Sequence, residues 1–199
     1  MVVCIILTTT VYPQNKSFIF QKDPISRIKS YTKSIQQWSQ STTLPIFVVE
    51  NSGYQFVEQP KGIQFISYNE SEIFPQLAKN DSKGTSEMYS ISYAKQFLPK
   101  DCTFVIKITG RYFIPNFEKY IKCIHGYDIL CQNNYTRCEI VGCHFKNFDI
   151  FFNVSPDLDN HIEFLYKKRV YKFDKIYHLP IIPITPTPMG GINKIVESL

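Results

Sequence analysis

The sequence predicts an α/β fold with a mixed, mainly parallel central sheet flanked by helices. Three observations carry that expectation. Short β-branched runs at residues 2–7, 45–49 and 103–108 are almost wholly apolar, as in strands buried on both faces. Segments of helical periodicity separate these early runs, the order of βαβ units. Each run stops in a polar string, where open α/β sheets place their ligands.

The first strand, 2–7, ends in Thr8-Thr9-Thr10. A helix is expected over 24–40. Asp23 suits its N-cap, Pro24 its first position, and Ile25, Ile28, Tyr31, Ile35 and Trp38 share one face. Strand two, 45–49, is stopped by Glu50-Asn51-Ser52-Gly53, and a third short strand spans Ile63 to Ser67. Lys83-Gly84-Thr85-Ser86-Glu87 opens a helix with apolar positions at Ile91, Ala94 and Phe97-Leu98, closed by Pro99. After strand 103–108 come a helix over about 116–124 and a strand at 127–131. Residues 138–152 alternate and read as one or two strands, and 157–168 as a helix with Ile162, Leu165 and Tyr166 on one side. A Pro-rich stretch, 179–188, then gives way to Gly190-Gly191 and a short terminal helix. The later strands lack regular intervening helices, which predicts a mixed sheet edge.

With 199 residues, 44% hydrophobic and 20% charged, the chain lies in the globular range and is most simply one domain, 1–199. The net charge of +5 comes from scattered Lys and Arg. That suits small anions or an acidic surface, and nucleic acid is not an expected partner. The Val2–Leu7 run falls far short of a membrane span and lacks a basic leader, so no transmembrane segment is expected. Six cysteines, with neither Cys-x-x-Cys spacing nor zinc-finger histidines, predict reduced thiols, a cytoplasmic location and no metal site.

The most informative string is Lys107-Ile108-Thr109-Gly110-Arg111-Tyr112, where a buried strand leaves the sheet. Two fixed cations beside a glycine at such an edge suit an anionic, phosphorylated ligand. The same cations also suit a structural task, capping the sheet or pairing with Glu87 or Asp128. Alternation puts Lys107, Thr109 and Arg111 on one face unless Gly110 makes a bulge.

Taken with the Thr loop, Glu50-Asn51-Ser52-Gly53 and Lys83-Gly84-x-x-Glu87, this string resembles small viral and bacterial glycan-building glycosyltransferases of the GT-A type. The resemblance covers roughly residues 1–145. It implies a Rossmann-like nucleotide-sugar fold and hexosyl or deoxyhexosyl transfer from a nucleoside-diphosphate sugar, UDP favoured, to a glycan hydroxyl. Most such enzymes hold Mg²⁺ or Mn²⁺ with Asp-x-Asp at the end of this strand; here Lys107, Thr109 and Arg111 stand there instead. The resemblance therefore implies catalysis in which Lys107 and Arg111 neutralise the leaving diphosphate. The rival readings are a nucleotidyltransferase making the activated sugar and a non-catalytic sugar-nucleotide or glycan binder.

The other candidates each carry two readings. Thr8, Thr9 and Thr10 bind base or ribose, or are Thr of ordinary β-propensity. Glu50, with Asn51 and Ser52, accepts from ribose hydroxyls or forms a polar turn. Lys83, Gly84 and Glu87 bring backbone N–H groups and charge to an anion, or simply cap a helix. Thr109 and Gly110 complete the rim. Glu163 is the first choice for a general base and Asp149 the second, against solvated surface carboxylates. Thr187, Gly190 and Gly191 form a loop that closes on phosphates through backbone donors, or a plain turn. His144 and His178 have no partner at recognisable spacing.

Overall fold

The computed structural model describes residues 1–13, 16–133, 137–154 and 162–199. Its first half contains β1 (Val2–Thr9), α1 (Pro24–Ser41), β2 (Ile46–Glu50), β3 (Ile63–Ser67), the short helices α2 (Glu70–Ile73) and α3 (Pro75–Ala78), and α4 (Lys83–Ala94). The second half contains β4 (Cys102–Thr109), α5 (Glu118–Ile121), β5 (Ile129–Gln132), β6 (Ile140–His144), α6 (Phe148–Phe151), α7 (Ile162–Val170), β7 (Ile176–Leu179), β8 (Pro183–Pro188) and β9 (Ile195–Ser198).

Seven strands form one sheet in the order β3-β2-β1-β4-β6-β5-β7. The β3-β2-β1-β4 block is parallel, β6 runs antiparallel to β4 and β5, and β7 is parallel to β5. This is the mainly parallel sheet with a mixed edge that the sequence predicts.

The pleat sends alternate side chains to two cores. Ile5 and Leu7 of β1 and Phe104, Ile106 and Ile108 of β4 meet Tyr31, Ile35 and Trp38 of α1. Cys4, Ile6 and Val105 meet Met88, Ile91 and Ala94 of α4 on the other face. Helix α1 starts where expected: Asp23 caps it by accepting from the Ser26 N–H at 2.8 Å. Its Trp38 indole donates to the Tyr112 carbonyl at 2.9 Å, which fixes the helix under the end of β4.

One expectation is met and filled out, and three change. Residues 138–152 hold one strand, β6, followed by a 3₁₀ turn and α6. Phe148, Phe151 and Phe152 are spaced by three and four, a helical period, and all are buried against the α4 face. The helix expected over 116–124 contracts to α5. The terminal helix is instead strand β9, whose Ile195 and Val196 pair with Pro188 and Thr187 of β8 in a separate two-stranded ribbon. Proline cannot donate to a ladder, so β8 is confined to such an edge. Helix α7 runs to Val170; residues 157–161 of the expected 157–168 helix lie outside the described residues. Among the described residues no helix is long and apolar enough to cross a membrane.

Candidate active site

The carboxyl ends of β1, β2 and β4 open into a cleft of about 730 Å³, within the range of small-ligand sites. At the end of β1, Thr8, Thr9 and Thr10 all line it. Their hydroxyls donate to Glu87 Oε1 (2.8 Å), the Val49 carbonyl (3.1 Å) and Asn51 Oδ1 (2.7 Å) respectively. The loop therefore presents hydroxyl oxygens held in fixed orientation. Gly110 crosses it closely: its N–H donates to the Thr8 carbonyl at 2.9 Å. A Cβ at position 110 would lie 2.6 Å from Thr9 Cγ2 and 2.8 Å from that carbonyl. Only glycine fits there.

At the end of β2, Glu50 faces away from the cleft. Its carboxylate accepts from the backbone N–H groups of Val11 (2.8 Å), Ser52 (2.9 Å) and Tyr54 (2.8 Å) and from the Ser52 hydroxyl. Burial raises its pKa and outweighs those donors. Glu50 thus ties two loops together, and Asn51 and Ser52 take the cleft positions. Asn51 Nδ2 donates to Glu70 at 3.0 Å. Glu70 also accepts from Ser86 Oγ (2.8 Å) and pairs with Lys16 (2.9 Å). Lys16, Glu70 and Ser86 line the cleft as well.

The two cations of β4 part company. Lys107 is fully buried beneath the cleft on the α4 side. Its ammonium pairs with Glu87 at 2.8 Å and donates to the Cys138 carbonyl (2.9 Å) and Thr109 Oγ1 (3.2 Å). Burial opposes its charge, but the Glu87 carboxylate together with Cys138 and Glu139 outweighs that and holds the Lys107 pKa above the usual lysine value. All three ammonium protons are committed.

Arg111 follows Gly110, in a turn closed by the Tyr112 N–H on the Thr109 carbonyl at 3.0 Å. It swings to the α1 side, so strand alternation ends at Gly110 and the two cations do not share a face. The Arg111 guanidinium carbon lies 5.9 Å from the centre of the Tyr31 ring. The group also packs against Gly190, where a Cβ would approach Nη1 to 2.2 Å. Nε and Nη1 are buried and make no hydrogen bond among the described residues. Arg27 meets the same Tyr31 ring at 5.6 Å but is fully engaged with the Thr10 and Gln21 carbonyls and the Tyr31 hydroxyl.

Helices α4 and α7 form the opposite wall. Ser82 caps α4 by accepting from the Thr85 N–H at 3.2 Å, and exposed Lys83 sits at its first position. Gly84 serves packing: a Cβ there would stand 2.7 Å from Ile162 Cβ, so the bare backbone lets α7 settle on α4. Glu87, Glu139 and Glu163 project into this side of the cleft. Glu163 contacts the Cys138 thiol at 3.8 Å, and burial raises the pKa of that thiol. Asp149 lies elsewhere, on α6, paired with Lys95 at 2.6 Å and with its side chain 79% exposed. Gly190 and Gly191 line the cleft, but they belong to a turn joining two strands, with no helix after them. Thr187 bonds the Thr185 carbonyl (2.7 Å) outside the cleft; His144 accepts from the Lys146 N–H and His178 meets Cys131, also outside it.

Tyr31, Arg27, Lys16, Glu70 and Glu139 join the site without having been singled out in the sequence. Arg27 and Tyr31, four apart on the buried face of α1, were the available signal: a charged residue on an apolar stripe needs a polar reason. Nothing in the order of residues announces Lys16 or Glu70, which meet through tertiary structure alone.

A buried ammonium, a hydroxyl and a guanidinium do not fit a divalent cation at the end of β4. Among the described residues no group of three His, Cys, Asp or Glu side chains is placed to hold one.

No protein-family model matches the sequence, and no curated protein matches it significantly. Solved structures do. A Desulfovibrio desulfuricans protein assigned as a nucleotide-diphospho-sugar transferase is 13% identical, with a TM-score of 0.50 over 90% of this chain and 80% of that one. The 4-diphosphocytidyl-2C-methyl-D-erythritol synthase of Anaerococcus prevotii is 9% identical, with a TM-score of 0.54 over 90% and 89%. The chain shares their fold. A CMP:2-keto-3-deoxy-manno-octonic acid synthetase, solved with CTP, matches similarly at 9% identity, with a TM-score of 0.53 over 97% and 93%.

Proposed function

We propose that this protein transfers a sugar from a nucleoside-diphosphate sugar, UDP favoured, to a glycan hydroxyl, without a chelated metal ion. One observation carries the reading: Arg111 holds a guanidinium at the sheet's carboxyl edge, lining a ligand-sized cleft, with two of its nitrogens unbonded among the described residues. A half-buried guanidinium with N–H groups lacking acceptors gains from an anion that supplies them. A planar fork of donors suits a diphosphate.

In this reading the nucleoside lies along Thr8–Thr10, Asn51 and Ser52, with the diphosphate between Arg111, Lys83 and the Gly190-Gly191 turn. The acceptor oxygen bonds to the anomeric carbon as the bond to the phosphate oxygen breaks. The electron pair leaves with the diphosphate, and Arg111 stabilises the charge that develops there. Glu163, across the cleft, takes the acceptor's proton. Lys107 contributes indirectly, by holding Glu87 and through it Thr8.

Fold likeness to synthetases gives a second reading, formation of the activated sugar from a nucleoside triphosphate and a sugar or sugar phosphate. The Thr8-Thr9-Thr10-Val11 loop disfavours it, because it lacks the glycines that let backbone cradle a triphosphate.

The test is a thermal-shift panel of nucleotide sugars, each run with EDTA and with Mn²⁺, followed by transfer assays on the donor that binds. A UDP-sugar should stabilise the protein equally in both media. Arg111→Ala should lower turnover on the order of 10²–10³-fold, the scale for losing one transition-state donor. Stabilisation only with Mn²⁺, or full turnover without Arg111, overturns the reading. Pyrophosphate release from nucleoside triphosphate supports the synthetase instead.

A further inference from the structure

We infer that Tyr31, assisted by Gly190, is a positioning residue that holds the Arg111 guanidinium in the orientation its anionic ligand requires. The inference rests on the diphosphate role proposed for Arg111 and adds what sets that side chain's geometry. An arginine with unbonded Nε and Nη1 has no hydrogen bonds at those nitrogens to fix its plane, and its long stem carries much rotamer freedom. Contact with two neighbours replaces them. Tyr31 lies against one side at 5.9 Å, and the backbone of Gly190 against another, too close for any side chain.

The ring itself is anchored. Its hydroxyl accepts from Arg27 Nη2 at 2.8 Å and reaches the Thr10 carbonyl at 3.3 Å. Arg27 is held in turn by Thr10 and Gln21. Two guanidinium groups on one ring also repel each other, and Arg111 helps to lower the Arg27 pKa after burial. Arg27 has its acceptors; Arg111 does not. Arg111 lines the cleft, so an anion arriving there meets a guanidinium with little reorganisation left to bind it.

The experiment measures binding of inorganic pyrophosphate and of UDP by titration calorimetry. The proteins are the wild type, Tyr31→Phe, Tyr31→Leu, Gly190→Ala, Arg111→Ala and the doubles Tyr31→Leu/Arg111→Ala and Gly190→Ala/Arg111→Ala. Tyr31→Leu and Gly190→Ala should each weaken pyrophosphate binding about tenfold, and Tyr31→Phe, which keeps the ring, should restore most of it. In the Arg111→Ala background neither change should matter further, because both act through that guanidinium. Gly190 lies in a surface turn, so its variant reports even where loss of the Tyr31 ring unfolds the domain. Wild-type binding that Arg111→Ala destroys, but that Tyr31→Leu or Gly190→Ala leaves intact, overturns this inference alone. Equal losses in both backgrounds overturn it too, by showing a general structural effect. A wild type that binds neither probe overturns the diphosphate role as well.

Discussion

Lys107 and Arg111 leave the same strand four residues apart, yet they sit in opposite electrostatic situations. On the α4 side Lys107 is sealed, neutralised by Glu87 and hydrogen-bonded to capacity. On the α1 side Arg111 stacks on Tyr31 and lacks acceptors for two nitrogens. A cation with its partner built in holds structure together; a cation without one is ready to hold a ligand. The difference turns on Gly110, where the strand ends and the chain changes sides.

The sharpest way to break this comparison is to remove the sealed cation. Lys107→Met leaves Glu87 without its partner and should cost about 3–5 kcal/mol of stability, the scale for breaking a buried pair from one side. Urea denaturation would show it; a loss below about 1 kcal/mol would mean that Lys107 is as free as Arg111.

Glu50 is the next probe, as a carboxylate that anchors loops instead of meeting ligand. Glu50→Ala leaves backbone N–H groups of Val11, Ser52 and Tyr54 without their acceptor and should cost about 1–3 kcal/mol. The sign of its pH dependence follows from its raised pKa. The folded state binds the Glu50 proton more tightly than the unfolded state, whose value is 4.5. The wild type should therefore lose stability relative to Glu50→Gln as pH rises from 4.5 through the folded value. Parallel stability–pH curves for the two proteins would contradict the shift.

Arg111→Ala should lower thermal stability only slightly, about 0.5–1 kcal/mol for a stacked cation, while turnover collapses. A large stability loss would place Arg111 with Lys107. The smallest effect belongs to Asp149→Asn. Its ion pair with Lys95 is on the surface, so both stability, within about 0.5 kcal/mol, and turnover should hold. Lost turnover would move the general base from Glu163 to α6.

The sequence made the central strands and α1 legible because their signals are local: continuous apolar runs, an Asp-Pro start, one apolar stripe. The expected strand within 138–152 is β6, but α6 after it gave no clear signal, because a short Phe-rich stretch fits alternation nearly as well as a helical period and only contact with the α4-side core decides between them. The C-terminal ribbon was hidden because proline gives β8 no strand signature of its own. At the site, the Lys-x-Thr-Gly-Arg string stood out as chemistry, but the division of labour within it did not. Glu87 was among the partners expected for the two cations, but which cation takes it was not legible, and Tyr31 is eighty residues from Arg111. Pairing at such separations belongs to the tertiary fold.

The bare Cα of Gly84 has a consequence for evolution of the chain. Ile162 rests on it and Glu163 comes next along α7, so a single missing methyl group sets how closely α7, and Glu163 with it, packs on α4. Alanine at that position would push Ile162, and α7 with it, away from α4. Descendants that carried it would have a reshaped wall around Glu163, with Thr8–Thr10, Asn51 and Ser52 on the far side left as they are.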